Sequence, residues 1–204
     1  DGGDTWTAAT TTNVGTTVPM YGVSMSDANN GVAVVYDGTI VYTSDGGDTW
    51  TAATTTNVGT TVMRGVSMVD ANNGVAVGNS GTIVYTSDGG DTWTAATTTN
   101  VGTTVPMYGV SMSDANNGVA VVYDGTIVYT SDGGDTWTAA TTTNAGSNHM
   151  VGVSMVDANN GVAVGDSGTI VYTSDGGDTW TAATTTNVGT TVMRGVSMVD
   201  ANNG

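Results

Sequence analysis

The groups of this sequence able to do chemistry are eighteen carboxylates, two guanidinium groups, one imidazole and eight phenols. Every carboxylate is an aspartate, and Glu, Lys and Cys are absent. Without cysteine there are no thiolate metal sites, no disulfides and no sulfur nucleophile. Ten aspartates recur as Asp-Gly-Gly-Asp, beginning at Asp1, Asp45, Asp88, Asp132 and Asp175. A general acid and a general base need unlike surroundings to separate their pKa values, and identical turns supply the opposite. The spacing also lacks the ligand pattern of an EF-hand loop, so diffuse cation association is expected and no dedicated metal site. His149 stands in the divergent stretch 144–149. It reads as an exposed loop histidine, because a Ser-His-Asp site needs a convergence that spacing does not supply. The expectation is a protein without catalytic residues, metal or cofactor.

Comparison among the internal copies isolates the residues free to recognise something. One slot, just before a recurrent glycine, holds Tyr21, Arg64, Tyr108, Val151 and Arg194. It contains both cations of the chain and two of its aromatics, and is the candidate ligand-binding set. A second varying patch is Tyr36-Asp37, Asn79-Ser80, Tyr123-Asp124 and Asp166-Ser167, where tyrosine beside aspartate suits contact with a sugar.

These slots are carried by a tandem array. The string Asp-Gly-Gly-Asp-Thr-Trp recurs at intervals of 44, 43, 44 and 43 residues. Residues 1–44 are identical to 88–131, and 45–87 differ from 132–174 at six positions, so an 87-residue double unit underlies the array. The organisation is one domain, residues 1–204, of units 1–44, 45–87, 88–131, 132–174 and a partial 175–204.

Each unit reads as four short strands. In residues 62–97 these are 62–69, 75–77, 82–86 and 93–97, separated by Asn-Gly, Ser-Gly and Asp-Gly turns. Val, Ile, Tyr, Trp and Thr suit the pleated backbone, and the strong helix formers Leu, Glu, Lys and Gln are missing. Four strands every 43–44 residues is the period of a propeller blade. The fold class is therefore all-β, a β-propeller of four-stranded blades, five-bladed with an incomplete last blade. A first strand lying innermost would place the Tyr21 slot around one mouth of the channel. Ten methionines, two per unit, lie in the first strands and suit core packing.

Thr43-Ser44-Asp45-Gly46-Gly47-Asp48-Thr49-Trp50 resembles the Asp-box of bacterial neuraminidase-type repeats, and recurs at 86–93, 130–137 and 173–180. The first copy, Asp1 to Trp6, lacks its opening Thr-Ser. The upstream Gly74-Val75-Ala76-Val77-Gly78 and Gly81-Thr82-Ile83-Val84 look like the photosystem II assembly-factor type of these repeats. The resemblance spans essentially the whole chain and implies a propeller with the box in the hairpin between third and fourth strands. Asp-box sialidases hold a carboxylate with three arginines and use a Tyr-Glu pair; two Arg and no Glu do not meet that pattern. The aspartate itself reads as structural, accepting bonds from backbone N–H groups of the turn.

The net charge of −16 and the lack of a basic cluster exclude a nucleic-acid footprint. No run of 18 apolar residues is present to span a membrane. The array begins inside an Asp-box and stops after a first strand, which leaves strand edges free for head-to-tail self-association. Threonine runs such as Thr54-Thr55-Thr56 suit O-linked sugar. The leading expectation is a non-enzymatic, extracellular or cell-surface structural or adhesive protein, a subunit of a head-to-tail fibre. The alternative is a ligand-binding propeller that takes glycan or peptide at the channel mouth.

Overall fold

A computed structural model of the chain describes residues 7–12, 18–55, 58–99, 104–143, 148–184, 189–201 and 204. The first Asp-box, Thr56 and residues 144–147 lie outside the described residues. The strands fall into four sheets. The first contains β1 (Thr10–Thr12), β2 (Met20–Met25), β3 (Gly31–Val35), β4 (Ile40–Thr43) and β5 (Thr49–Ala52). The second contains β6 (Thr54–Thr55), β7 (Met63–Met68), β8 (Gly74–Gly78), β9 (Ile83–Thr86) and β10 (Thr92–Ala95). The third runs through β11 (Thr97–Thr99), β12 (Met107–Met112), β13 (Gly118–Val122), β14 (Ile127–Thr130) and β15 (Thr136–Ala139). The fourth holds β16 (Thr141–Thr143), β17 (Met150–Met155), β18 (Gly161–Gly165), β19 (Ile170–Thr173) and β20 (Thr179–Ala182).

Each sheet is a four-stranded antiparallel blade, as the repeat predicts, with a short fifth strand on its outer edge. The spatial order in the first sheet is β1-β5-β4-β3-β2, and the other three repeat it. The outer strand runs parallel to the fourth strand, with Thr10 opposite Thr49 and Thr12 opposite Thr51. In the chain, β6 follows β5, the fourth strand of the preceding blade, and β11 and β16 follow β10 and β15 in the same way. Residues 93–97 are therefore not one strand: the antiparallel ladder stops at Ala95, and Thr97 donates its N–H to the Asp135 carbonyl of the next blade at 2.8 Å. The threonine triplet crosses because the fourth strand of the next blade offers a free edge. Each four-stranded blade thus gains a fifth, parallel edge strand, and is clasped by its predecessor.

The first strands lie innermost and side by side. A Cβ on Gly65 would stand 3.1 Å from the Tyr108 carbonyl and 3.5 Å from the Gly109 Cα, so glycine permits the close approach of neighbouring strands. Residues of the fifth unit take the same seat: Gly195 lies against Gly152, and Met198 N–H donates to Ser154 Oγ at 3.1 Å. Residues 191–198 of this segment form no ladder. The described residues form an arc of four blades plus this inner segment.

Blades pack face to face through apolar side chains. Between the second and third sheets, Val75, Val77 and Ile83 meet Met107, Met112, Ala120, Val128 and Trp137. Both faces of an inner blade are covered, so Val, Ala and Val at consecutive positions of β8 are all fully buried. Met63, Met68, Met107, Met112, Met150 and Met155 pack in this core, as expected, whereas Met20 and Met25 of the first blade are exposed.

The Asp-box lies between third and fourth strands, as the resemblance implies. Asp45 accepts bonds from Thr49 Oγ1 at 2.5 Å, Thr49 N–H at 2.9 Å and Thr43 Oγ1 at 2.8 Å. The buried Thr43 hydroxyl in turn accepts the Gly47 N–H at 3.0 Å, and Trp50 Nε1 donates to the Gly47 carbonyl at 3.0 Å. The Thr49 hydroxyl, followed by its N–H and the Thr43 hydroxyl, draws the Asp45 pKa down from 3.8 to about 2. Asp175 is lowered in the same way by Thr179. In Asp88 and Asp132 burial pushes upward, but the bonds from Thr92 and Thr136 outweigh it.

A folded pKa below the unfolded one means that the ionised carboxylates favour the folded chain above about pH 4, and that this contribution is lost as pH falls towards about 2. The urea midpoint is therefore expected to drop steeply between about pH 4 and pH 2, although protonation relieves the self-repulsion of the net charge. A midpoint unchanged across that window would contradict a structural role for the box.

Candidate binding strip on one rim

The two varying patches become one surface, and hairpin register is the reason. In each blade the first strand pairs with the second through a bulge: Met20 faces Val35 but Gly22 faces Val34, leaving Tyr21 without a ladder partner. The same shift falls at Arg64, Tyr108 and Val151. A bulged residue is released from the pleat, and bulges commonly re-aim side chains at functional sites. The turn after the second strand is tied to the residue before the first. Tyr36 N–H donates to the Pro19 carbonyl, Asn79 to Val62, Tyr123 to Pro106 and Asp166 to His149, at 2.8–2.9 Å. Each bulge residue therefore sits beside the varying turn residue of its own blade.

The side chains make an almost continuous line of contacts across four blades. The Tyr36 and Tyr21 rings are 6.1 Å apart. The Arg64 guanidinium lies 5.8 Å from the Tyr21 ring and 4.7 Å from the Tyr108 ring, and its Nε donates to Asn79 Oδ1 at 2.6 Å. Tyr108 approaches Tyr123 at 5.6 Å, and Tyr123 stacks on His149 at 3.5 Å. His149 Nδ1 meets Asp166 Oδ2 at 3.0 Å. Beyond them Val151, Val192 and Arg194 complete a cleft of about 290 Å³ lined also by Tyr108, Tyr123, His149 and Asp166.

All five predicted slot residues thus lie on this rim, although Val151 and Arg194 border the cleft and add no planar group to the line. His149, expected to be a plain loop histidine, is instead the planar group at which the aromatic line ends. The signal that could have found it is register: His149 aligns with Val62, the residue whose carbonyl holds the turn at Asn79.

Chemically the strip offers partly exposed tyrosine faces, one guanidinium set over two of them, and an imidazole–carboxylate pair. Cations stacked on aromatic faces in this way are worth roughly 0.5–1 kcal/mol at exposed sites. The held guanidinium is pre-oriented to receive a carboxylate or carbonyl, and the rings to receive another planar group. Among the described residues no three His or Asp side chains are grouped to hold a metal ion. Nor, among the described residues, is any helix long and apolar enough to cross a membrane.

An Asp-box β-propeller with an aromatic and cationic strip along one rim is the class that this fold and site define. The chain belongs to the photosynthesis system II assembly factor YCF48 family, whose repeat model matches residues 4–151 and again 55–200. Solved structures agree on the fold. A structure of YCF48 bound to D1 peptide is 21% identical, covers 88% of this chain and 60% of its own, and superposes with a TM-score of 0.64. YCF48 from Cyanidioschyzon merolae is 20% identical with a TM-score of 0.61, covering 83% of this chain and 57% of its own. An ancestral GH74 enzyme is 13% identical with a TM-score of 0.68, over 84% of this chain and 26% of that one. No curated protein sequence matches. This chain spans about 60% of the length of the two YCF48 structures.

Proposed function

We propose that this protein is a non-enzymatic peptide-binding propeller, and that the peptide lies extended along the rim strip. The observation that carries the reading is the almost continuous sequence of planar groups from Tyr36 through Arg64 to His149, built from side chains that vary between otherwise near-identical repeats. A family relative solved with a D1 peptide supports a peptide over a glycan. Extended peptides dock well on aromatic-lined surfaces, because tyrosine supplies contact area at little conformational cost. A chain of net charge −16 repels polyanions generally, so an acidic residue of the ligand is drawn to the few points where Arg64 and Arg194 stand.

The test is selection from a random extended-peptide library, followed by mapping of the bound peptide by NMR shift perturbation. Binders are expected to perturb Tyr21, Arg64, Tyr108 and Tyr123. Failure to select any binder, or perturbations confined to the Asp-box loops, would overturn the proposal.

A further inference from the structure

Along the rim strip the chain fills one interval with its own side chain and leaves the next one open. Tyr21 and Tyr108 hold the bulge slot of the first and third blades. Arg64, in the same slot of the blade between them, sits over both rings at 5.8 and 4.7 Å, with its Nε bonded to Asn79 Oδ1 at 2.6 Å. One step along, Tyr108 and Arg194 flank the slot of the fourth blade, which holds Val151. Valine lacks the reach of arginine or tyrosine. The interval is a cleft of about 290 Å³, whose lining includes Tyr108, Val151, Val192 and Arg194, with His149 and Asp166.

The lining says what fits. Two valines, the Tyr108 ring and the Arg194 cation together favour a flat aromatic group, which gains ring contact from the tyrosine and a cation at its face from the arginine. A cationic side chain from the ligand would instead meet Arg194 with like charge. The polar partner is set by register. Asp166 stands where the second blade has Asn79: its N–H donates to the His149 carbonyl at 2.8 Å, as that of Asn79 does to Val62 at 2.9 Å. Asn79 accepts a bond from Arg64, the side chain that fills its interval. Asp166 meets His149 Nδ1 through Oδ2 at 3.0 Å, and a carboxylate has room to accept a further donor.

From this contrast between a filled and an open interval we infer that the cleft is a side-chain pocket for a tyrosine of the bound peptide, and that Val151 is the residue that sets this specificity. The inference rests on the reading of the rim as a peptide site. The incoming ring takes the place in this interval that Arg64 takes in the other, between Tyr108 and Arg194, and its hydroxyl donates to Asp166. Arg64 and the cleft thus read different parts of one ligand, the first an acidic group and the second a phenol.

Titration of the whole chain with N-acetyltyrosinamide, followed by NMR of the Val151 and Val192 methyl groups, tests the pocket apart from the rest of the strip. Half-saturation is expected on the order of 1 mM. The phenylalanine analogue is expected to need at least about fivefold more, for want of the hydroxyl, and the leucine analogue more again, for want of the ring. Val151→Tyr gives the slot the residue that the first and third blades carry there. It is expected to keep the native circular dichroism spectrum and to weaken the probe at least about tenfold, read at Val192. Val151→Arg, the residue of the second blade, is a second filler expected to do the same. Asp166→Ala is expected to erase the preference for tyrosine over phenylalanine. A parent chain that does not saturate, a leucine analogue that binds equally well, fillers that leave binding intact, or a tyrosine preference that survives Asp166→Ala would each overturn the inference. The two readings fail separately. A library that yields no peptide while the probe saturates removes the strip and leaves the pocket, whereas selected peptides that bind Val151→Tyr as tightly as the parent remove the pocket and leave the strip.

Discussion

Trp137→Ala is expected to cost about 3–5 kcal/mol, read as a lowered urea midpoint, because it empties the middle of an interface between blades. The indole is fully buried among Val75, Val77, Ile83, Met107 and Met112, so neighbours on two blades lose their contact at once. Its Nε1 also closes the Asp-box turn by donating to the Gly134 carbonyl at 3.0 Å, and alanine leaves that acceptor without the bond. Trp50→Ala serves as the internal comparison. The sequence around it is the same, but its face is half-open, so the expected loss is less than half as large. Equal losses at the two positions would mean that the covering of one blade by the next contributes little, against the packing described above.

Arg64→Ala is expected to weaken binding of a rim-selected peptide by about 30-fold, or about 2 kcal/mol, the size of an interface hot spot. Three partners hold this side chain in place: Tyr21, Tyr108 and Asn79. Removal therefore takes away the ligand contact and also the element that aligns the two tyrosine pairs. Folding stability is expected to change by less than about 1 kcal/mol, since the group is only partly buried and its contacts are at the surface. Arg64→Lys keeps the charge without the stacked plane and is expected to fall between parent and alanine. Calorimetric titration gives the affinities. A peptide that binds Arg64→Ala as tightly as the parent chain would place the ligand elsewhere.

The all-β fold and the blade period were legible because they follow from features that survive in any single copy. Val, Ile and Tyr mark the buried strands, and paired glycines mark the turns. Gly46 and Gly47 take φ of +77° and +95°, a region that favours glycine. The parallel fifth strand was not legible. A threonine triplet has no apolar periodicity to announce it, and its partner lies in the next repeat. The slot at Tyr21, Arg64, Tyr108, Val151 and Arg194 was visible as variation against identity. Its union with Tyr36, Asn79, Tyr123 and Asp166 was not, because that depends on a bulge shifting the register by one residue, and residue types do not encode such a shift. His149 was undervalued for the same reason: its stacking partner Tyr123 comes from a different blade.

Since every sheet takes its outermost strand from the stretch leaving the preceding blade and its fourth strand from the next repeat, no blade is a detachable part. Excising residues 45–87 removes β5 from the first sheet and β6 to β9 from the second. The near-identity of the copies, however, lets the severed ends rejoin with an equivalent threonine strand across the seam. Recombination can therefore lengthen or shorten such a gene in whole-repeat steps without creating a misfit, whereas a cut of any other size leaves one sheet unclasped.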